Sequence, residues 1–180
     1  MPAGAAVVEG DALESATFAD AVAPADTFVH LIGTAHPNPF KAASFKSVDL
    51  RSVEAAIRAA RSGGVQHFVY LSVAQPAPVM LAYIEARAAG EALIRASGIA
   101  ATILRPWYVL GPGHRWPYLL VPFYGIFFAL PPTRETAARL GLVTLNQMIS
   151  ALVASVEQGP AGLRMLDVAA IRSATCARIH

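Results

Sequence analysis

The stretch HFVYLSV at residues 67–73 and the run ATIL at residues 101–104 decide the fold, together with the helical pattern between them. Both runs are rich in apolar, β-branched and aromatic residues, which is typical of β-strands. The helical pattern covers about residues 79–96 and ends at Gly98, a residue type that commonly closes helices. Two strands separated by a helix of this length predict a parallel pair joined by a right-handed crossover.

The same alternation of strands and helices continues on both sides of this unit. We expect further strands at residues 5–9, 27–32 and 163–168, and helices at residues 13–22, 48–61 and 145–156. The run TFVHLI at residues 27–32 is apolar and β-branched, which predicts a strand buried on both faces. Ser47 is the expected N-cap of the helix at residues 48–61. The fold class is therefore α/β, with a parallel sheet and flanking helices.

The composition fits a single domain and excludes several classes of protein. The 180 residues are 55% hydrophobic and only 14% charged, which excludes a disordered chain. The net charge of +2 is spread without a basic run, so nucleic-acid binding through a charged stripe is not expected. The single cysteine, Cys176, excludes an internal disulfide and indicates a reducing compartment, the cytoplasm. The five histidines lie at no recognised ligand spacing, so no metal site is predicted.

The longest uncharged run is WPYLLVPFYGIFFALPP at residues 116–132. It is shorter than the roughly 20 residues that a membrane-spanning helix needs, and Pro122 and Gly125 interrupt it. We interpret it as a buried or interfacial helix. Contact of its apolar face with a membrane surface stays an alternative to core packing.

Four segments together resemble a known family. VVEGDALESATFADAV at residues 7–22, FVHLIG at residues 28–33, GGVQHFVYLSV at residues 63–73 and the stretch from LAYIEARAAGE to RPWYVLGPG at residues 81–113 follow one another in its order. They resemble the third to sixth strands, with their connections, of extended or atypical short-chain dehydrogenase/reductases, the branch with NmrA-like and epimerase-like proteins. The resemblance implies a Rossmann-like parallel sheet over most of residues 5–158 and NAD or NADP as the cofactor.

The glycine-rich start of that family is not found in these residues. Its first strand, the Gly-x-x-Gly-x-x-Gly turn and the second strand have no counterpart before residue 5, and Gly111-Pro112-Gly113 is better interpreted as a rigid turn. Because the missing amides would hold the pyrophosphate, we expect cofactor binding to be weak or absent in this chain. A truncated gene or a start codon assigned too late explains the pattern as well as a natural short protein does.

The loss of a central strand predicts an unusual sheet edge. Without its neighbour, the strand at residues 27–32 becomes an apolar edge, which is a hazard for pairing or aggregation. Three outcomes stay open: the strand at Val7-Val8 moves in beside it, another chain covers it through self-association, or the product is poorly stable.

Three residues match the catalytic positions of the family. Tyr83 and Arg87 are four residues apart on one helix, so their side chains share a face. The resemblance implies that Tyr83 exchanges a proton with the substrate oxygen and that Arg87, in place of the usual lysine, supports Tyr83 and the nicotinamide ribose. Ser72 ends its strand where the family places the partner of the substrate carbonyl. The alternatives are an ordinary amphipathic helix with Tyr83 packed at the sheet end, and a serine that merely terminates a strand.

Further positions match cofactor contacts of the family. Asp11 corresponds to an adenine contact, or it caps a turn. Leu31 and Gly33 correspond to backbone that lies against the cofactor, although Gly33 can also serve only to turn the chain. Pro106 and Val109 correspond to the segment that passes the nicotinamide. Residues 114–140 correspond to the variable, substrate-side segment.

The resemblance implies an NAD(P)-dependent oxidoreductase, or a protein of epimerase-like ancestry, that acts on a small, apolar carbonyl or quinone-like compound. Its cofactor binding is expected to be impaired. The alternatives are a non-catalytic dinucleotide-sensing or structural subunit of the NmrA-like type, which Arg87 at the lysine position favours, and a fragment without independent activity.

Overall fold

The computed structural model describes residues 4–34, 38–77, 79–111 and 140–174. The apolar segment at residues 116–132 and all but the last residue of the substrate-side segment at residues 114–140 lie outside the described residues. Cys176 lies outside them as well. No helix among the described residues combines the length and the apolar character that crossing a membrane requires.

A parallel sheet forms the centre of the described structure. The strands are β1 (Thr27–His30), β2 (His67–Leu71), β3 (Ala100–Leu104), β4 (Tyr108–Leu110), β5 (Leu142–Thr144) and β6 (Leu163–Leu166). Four of them form one sheet in the order β1-β2-β3-β6, with every neighbouring pair parallel. Strands β4 and β5 form a separate parallel pair. The predicted α/β class with a parallel sheet is confirmed.

Helices connect these strands, as the periodicity predicts. They are α1 (Ala42–Ser44), a π-helical stretch (Phe45–Leu50), α2 (Arg51–Ser62), α3 (Leu81–Ser97), α4 (Leu145–Glu157) and α5 (Val168–Ser173). Helix α3 ends at Gly98, which adopts a left-handed φ of 77°. Helix α4 begins with a capping box, in which Thr144 and Gln147 each accept a hydrogen bond from the other's backbone N–H.

The two faces of the sheet carry two hydrophobic clusters. Successive residues of β2 point to opposite faces, so Phe68 and Tyr70 pack under α2 and α3 while Val69 packs under α4. The first cluster includes Val53, Ile57, Ile94 and Ile103, and the second includes Leu104, Val143, Met148 and Ile171. The sheet is therefore covered on both faces at β2 and β3, and this fixes the positions of the residues that follow these strands.

The helix start predicted at Ser47 is wrong. Residues 42–62 are continuously helical, and the hydroxyl of Ser47 donates to the carbonyl oxygen of Ala43 at 3.2 Å within that helix. Ser47 is therefore an interior helical residue. The π-helical stretch continues directly into α2, so the helix begins before the predicted residue. The same stretch brings Asp49 to the inside of the fold, where it is 1% exposed.

The N-terminal elements also differ from the prediction. Residues 5–9 form no strand, and Val7 and Val8 are 63% and 55% exposed. The predicted helix at residues 13–22 is replaced by two short 3₁₀ turns, Ser15–Thr17 and Ala19–Ala21. A strand needs a neighbour to satisfy its backbone groups, and none of the described residues pairs with residues 5–9.

Strand β1 lies at an edge of the four-stranded sheet, as expected from the missing neighbour. It pairs only with β2 among the described residues, and Val29 is 40% exposed. The prediction that this strand is buried on both faces is therefore wrong, because α2 covers one face and the other is open at Val29. Of the three expected outcomes, the movement of Val7-Val8 beside β1 does not occur in this chain.

Candidate functional site

The residues after β1, β2 and β3 meet at one edge of the sheet. Because the strands are parallel, their carboxyl ends lie side by side, and this is where open α/β sheets bind ligands. The edge carries Gly33 after β1, Ser72 after β2 and Pro106 after β3. The first turns of α3 bring Tyr83 and Arg87 to the same place. There Arg87 contacts the backbone after β1 and the last residue of β2.

Arg87 is buried at this edge and forms an ion pair with a second buried charge. Its side chain is 6% exposed, and its Nη2 lies 2.8 Å from Oδ1 of Asp49. Its Nη1 donates to the carbonyl oxygens of Leu71 at 3.0 Å and Ile32 at 3.4 Å. Burial opposes the charge, but the adjacent tyrosines and Asp49 outweigh it, so the pKa of Arg87 is raised. The guanidinium therefore stays charged and is bound by the protein itself.

Gly33 makes room for this guanidinium. A Cβ atom at residue 33 would lie 2.0 Å from Nη2 of Arg87 and 3.0 Å from Oδ1 of Asp49. The backbone of Gly33 does not adopt a positive φ, so conformational freedom is not the reason for a glycine here. The absence of a side chain lets Arg87 and Asp49 pack directly against the backbone after β1.

Tyr83 and Arg87 are in contact, as their spacing on the helix predicts. The Cζ atom of Arg87 lies 5.2 Å from the centroid of the Tyr83 ring, and Phe45 packs edge-on against the same ring at 5.1 Å. Tyr70 of β2 also lies near the guanidinium, with its ring centroid 5.8 Å from Cζ of Arg87. Burial raises the pKa of Tyr70 to about 12, so its hydroxyl keeps its proton at neutral pH.

The hydroxyl of Ser72 donates to a buried carboxylate. Its Oγ lies 2.6 Å from Oε1 of Glu91, a side chain that is 1% exposed. Nε of Arg105 and Nε2 of Gln75 each donate to the same oxygen at 2.9 Å, and Arg95 donates to Oε2 at 3.2 Å. Glu91 therefore connects the ends of β2 and β3 to α3. The single proton of Ser72 points into this cluster.

The predicted cofactor contacts are spread along this edge and beyond it. Leu31 is 51% exposed beside Gly33, Pro106 is buried, and Val109 lies half-buried in β4. Asp11 is exposed and accepts a hydrogen bond from the backbone N–H of Leu13 at 2.9 Å, which corresponds to the alternative of a turn cap. The adenine contact of Asp11 and the nicotinamide contacts of Pro106 and Val109 stay predictions.

Sequence reasoning did not find Asp49, Glu91 or His30. Asp49 and Glu91 are acidic residues within helices, and nothing local distinguishes them from solvent-exposed charges. His30 is 1% exposed in β1, and neither ring nitrogen has a partner among the described residues. Burial, and next the charge of Arg87, lower the pKa of His30 to about 4.

The NAD(P)H-binding family matches residues 1–116, which is well over half of the sequence. The chain belongs to the NAD(P)H-binding family. No curated protein matches the sequence. The predicted resemblance to an NAD(P)-binding family is therefore confirmed.

Solved structures of epimerase-like enzymes share the fold. WbmH of Bordetella bronchiseptica, in complex with NAD+, has a TM-score of 0.63 and 20% identity over 89% of this chain and 59% of its own. UDP-glucuronic acid 4-epimerase from Bacillus cereus, in complex with NAD, has a TM-score of 0.61 and 15% identity over 88% and 58%. WbmG of B. bronchiseptica, with NAD and UDP, has a TM-score of 0.62 and 19% identity over 98% and 66%. The family member described here thus spans about three-fifths of their length.

Proposed function

We propose that the chain binds NAD(P) at the carboxyl edge of its sheet and holds it without transferring hydride. Family membership supports the cofactor. We infer that hydride is not transferred because the polar groups of Arg87 and Ser72 already bind Asp49 and Glu91 within the protein. The chain then has the non-catalytic role that the sequence analysis gave as an alternative, that of a dinucleotide-sensing or structural subunit.

Hydride transfer of the implied kind needs two polar groups that are already engaged within the protein at this edge. The substrate carbonyl needs a hydrogen-bond partner, but the single hydroxyl proton of Ser72 goes to Glu91. The nicotinamide ribose needs the cation at residue 87, but the guanidinium of Arg87 is paired with Asp49 at 2.8 Å.

Leu31 and Gly33 are the residues of this edge that support contact with the cofactor. Leu31 presents an exposed apolar side chain, and the backbone of Gly33 is exposed beside it. The 180 residues contain no Gly-x-x-Gly-x-x-Gly turn. Backbone amides at a helix N-terminus normally hold the pyrophosphate, so we expect these residues to bind the dinucleotide weakly.

Titration of the 180-residue chain with NADH and NADPH tests this proposal. We expect a Kd above about 100 μM by isothermal titration calorimetry, or by ligand-observed NMR for weaker binding. We also expect no reduction of a panel of small aldehydes, ketones and quinones. A Kd of a few micromolar contradicts the expected weak affinity. No binding at millimolar NADH contradicts the proposal that the chain binds NAD(P), and it favours a fragment without independent activity.

A reductase or epimerase-like activity on a small, apolar carbonyl or quinone-like compound is the second candidate. The contact of Arg87 with the Tyr83 ring at 5.2 Å favours it, since the two lie together as a catalytic pair requires. Turnover that Tyr83→Phe abolishes would establish this activity. Arg87→Lys, which introduces the cation usual in the family, is then expected to raise the turnover. An inactive wild type and an inactive Arg87→Lys variant support the non-catalytic function.

A further inference from the structure

Asp49 is, like Glu91, a buried carboxylate at the edge, and it is the ion-pair partner of Arg87. Its side chain is fully buried, and its Oδ2 accepts hydrogen bonds from both the backbone N–H of Thr34, at 3.0 Å, and the Thr34 hydroxyl. Its Oδ1 lies 2.8 Å from Nη2 of Arg87. Asp49 therefore connects the π-helical stretch, helix α3 and the loop after β1 at a single point.

The pair of Asp49 and Arg87 determines the net charge at this point. Glu91, the other buried carboxylate described at this edge, is already bound by Arg95 and Arg105. Asp49 is therefore the group that compensates Arg87, and without it one positive charge would be left. Because the pair is buried, such a charge would be poorly screened and would act over a longer range than a surface charge.

We propose that Asp49 is a positioning residue that lowers the attraction of the cofactor edge for phosphate. It neutralises Arg87 and holds the guanidinium against the backbone of Gly33, where a Cβ would lie 2.0 Å from Nη2. A cation released from this pair would instead attract the phosphate of a nucleotide ligand. The inference rests on the proposed binding of NAD(P) at this edge, and it names one residue that lowers the affinity for the phosphate of that ligand.

Two substitutions that change the local net charge in opposite directions test the role of Asp49. Asp49→Asn keeps the shape and one acceptor oxygen for Thr34 but leaves Arg87 uncompensated. Arg87→Gln leaves the negative charge of Asp49 instead. The probes are nicotinamide mononucleotide and nicotinamide riboside, which differ by one phosphate, and their affinities are measured by ligand-observed NMR on each folded variant.

We expect the ratio of the two affinities to rise about tenfold in favour of the mononucleotide in Asp49→Asn, because an uncompensated buried charge attracts the phosphate through a medium of intermediate dielectric. In Arg87→Gln the ratio is expected to move the other way. A merely structural role would weaken both probes together and leave the ratio unchanged. Glu14→Gln is the matched control, since it breaks the exposed ion pair with Arg51 and should not alter the ratio.

The outcomes separate this inference from the proposed function. The inference is overturned if the wild type binds both probes and the ratio is the same in all variants. It is also overturned if the ratio moves in the same direction in Asp49→Asn and in Arg87→Gln, because Asp49 then does not set the phosphate preference. If no variant binds either probe, the proposed cofactor site itself is wrong. If one variant fails to fold by circular dichroism, the direction of the ratio in the other decides.

Discussion

Gly33 is a single residue whose missing side chain decides the position of a buried charge. We expect Gly33→Ala to lower the free energy of unfolding by about 2 kcal/mol, because the new Cβ would lie 2.0 Å from Nη2 of Arg87 and disturb its buried ion pair. Urea denaturation measures this difference. In an Arg87→Met background the same substitution is expected to cost much less, since the clashing atom is gone.

Gly111→Ala is the matched control for this experiment. A Cβ at residue 111 would meet its nearest neighbour, Cβ of Leu145, at 3.4 Å, which is an ordinary contact. We therefore expect a change within about 0.5 kcal/mol. Equal losses for Gly33→Ala with and without Arg87 would contradict the explanation that Gly33 makes room for the guanidinium.

His30 makes the stability depend on pH. Its pKa is about 4 in the folded chain and about 6.5 when unfolded, so the unfolded state binds more protons between these values. The stability is full above about pH 6.5 and falls as the pH drops toward 4. Between pH 7 and pH 5, His30 alone is expected to remove about 2 kcal/mol.

His30→Phe tests this pH dependence. Phenylalanine removes the titratable group and keeps an aromatic ring beside Phe68 and Tyr70, whose ring centroids lie 6.3 and 5.6 Å from that of the imidazole. Unfolding by urea at pH 7 and pH 5 should show a smaller loss in the variant than in the wild type. The variant keeps a remaining dependence from His67, whose pKa is also lowered, first by burial and then by Arg164. An identical loss in both proteins would rule out His30 as the cause.

At the scale of elements, helix α4 depends on a local signal at its start. The Thr144 hydroxyl accepts from the backbone N–H of Gln147 at 3.2 Å, and the Gln147 side chain accepts from the backbone N–H of Thr144 at 2.9 Å. Thr144→Ala is expected to lower the free energy of unfolding by about 1 kcal/mol, because the backbone N–H of Gln147 loses its protein partner. Thr144→Ser keeps the hydroxyl and should restore most of it in thermal or urea unfolding.

At the scale of the whole molecule, the exposed edge of β1 is the feature most open to association. Val29, Leu31 and Ile32 are 40%, 51% and 40% exposed, and within the described part of the chain β1 pairs with β2 alone. We expect light scattering after size exclusion to give a mass that rises with concentration toward a dimer, through pairing of β1 with a second copy.

Val29→Lys should keep the chain monomeric, because a charge on an edge strand opposes such pairing. Met165→Lys is the matched control. Met165 is 37% exposed on β6, at the opposite edge of the described sheet, and its substitution should leave the association unchanged. A wild type that stays monomeric at every concentration, or an equal effect of both lysines, would contradict association through β1.

The regular elements that agree with the sequence prediction are those with a strong local pattern. Strands β2 and β3 and helices α3 and α4 lie within one to two residues of their predicted bounds, because hydrophobic periodicity and a closing glycine act over a few residues. The strand predicted at residues 5–9 has the same kind of apolar pattern but no partner. Strand formation depends on a neighbour, and a local pattern cannot supply one.

The sequence by itself determined the alternation of strands and helices and the contact between Tyr83 and Arg87, since these depend on local periodicity or on helical spacing. The tertiary structure alone decided that Arg87 pairs with Asp49 against Gly33 and that Ser72 donates to Glu91. These partners lie far apart along the chain, and only the folding of the sheet brings them within hydrogen-bonding distance. Because these groups are buried, solvent cannot take the place of a lost partner, so each charge depends on its partner within the protein.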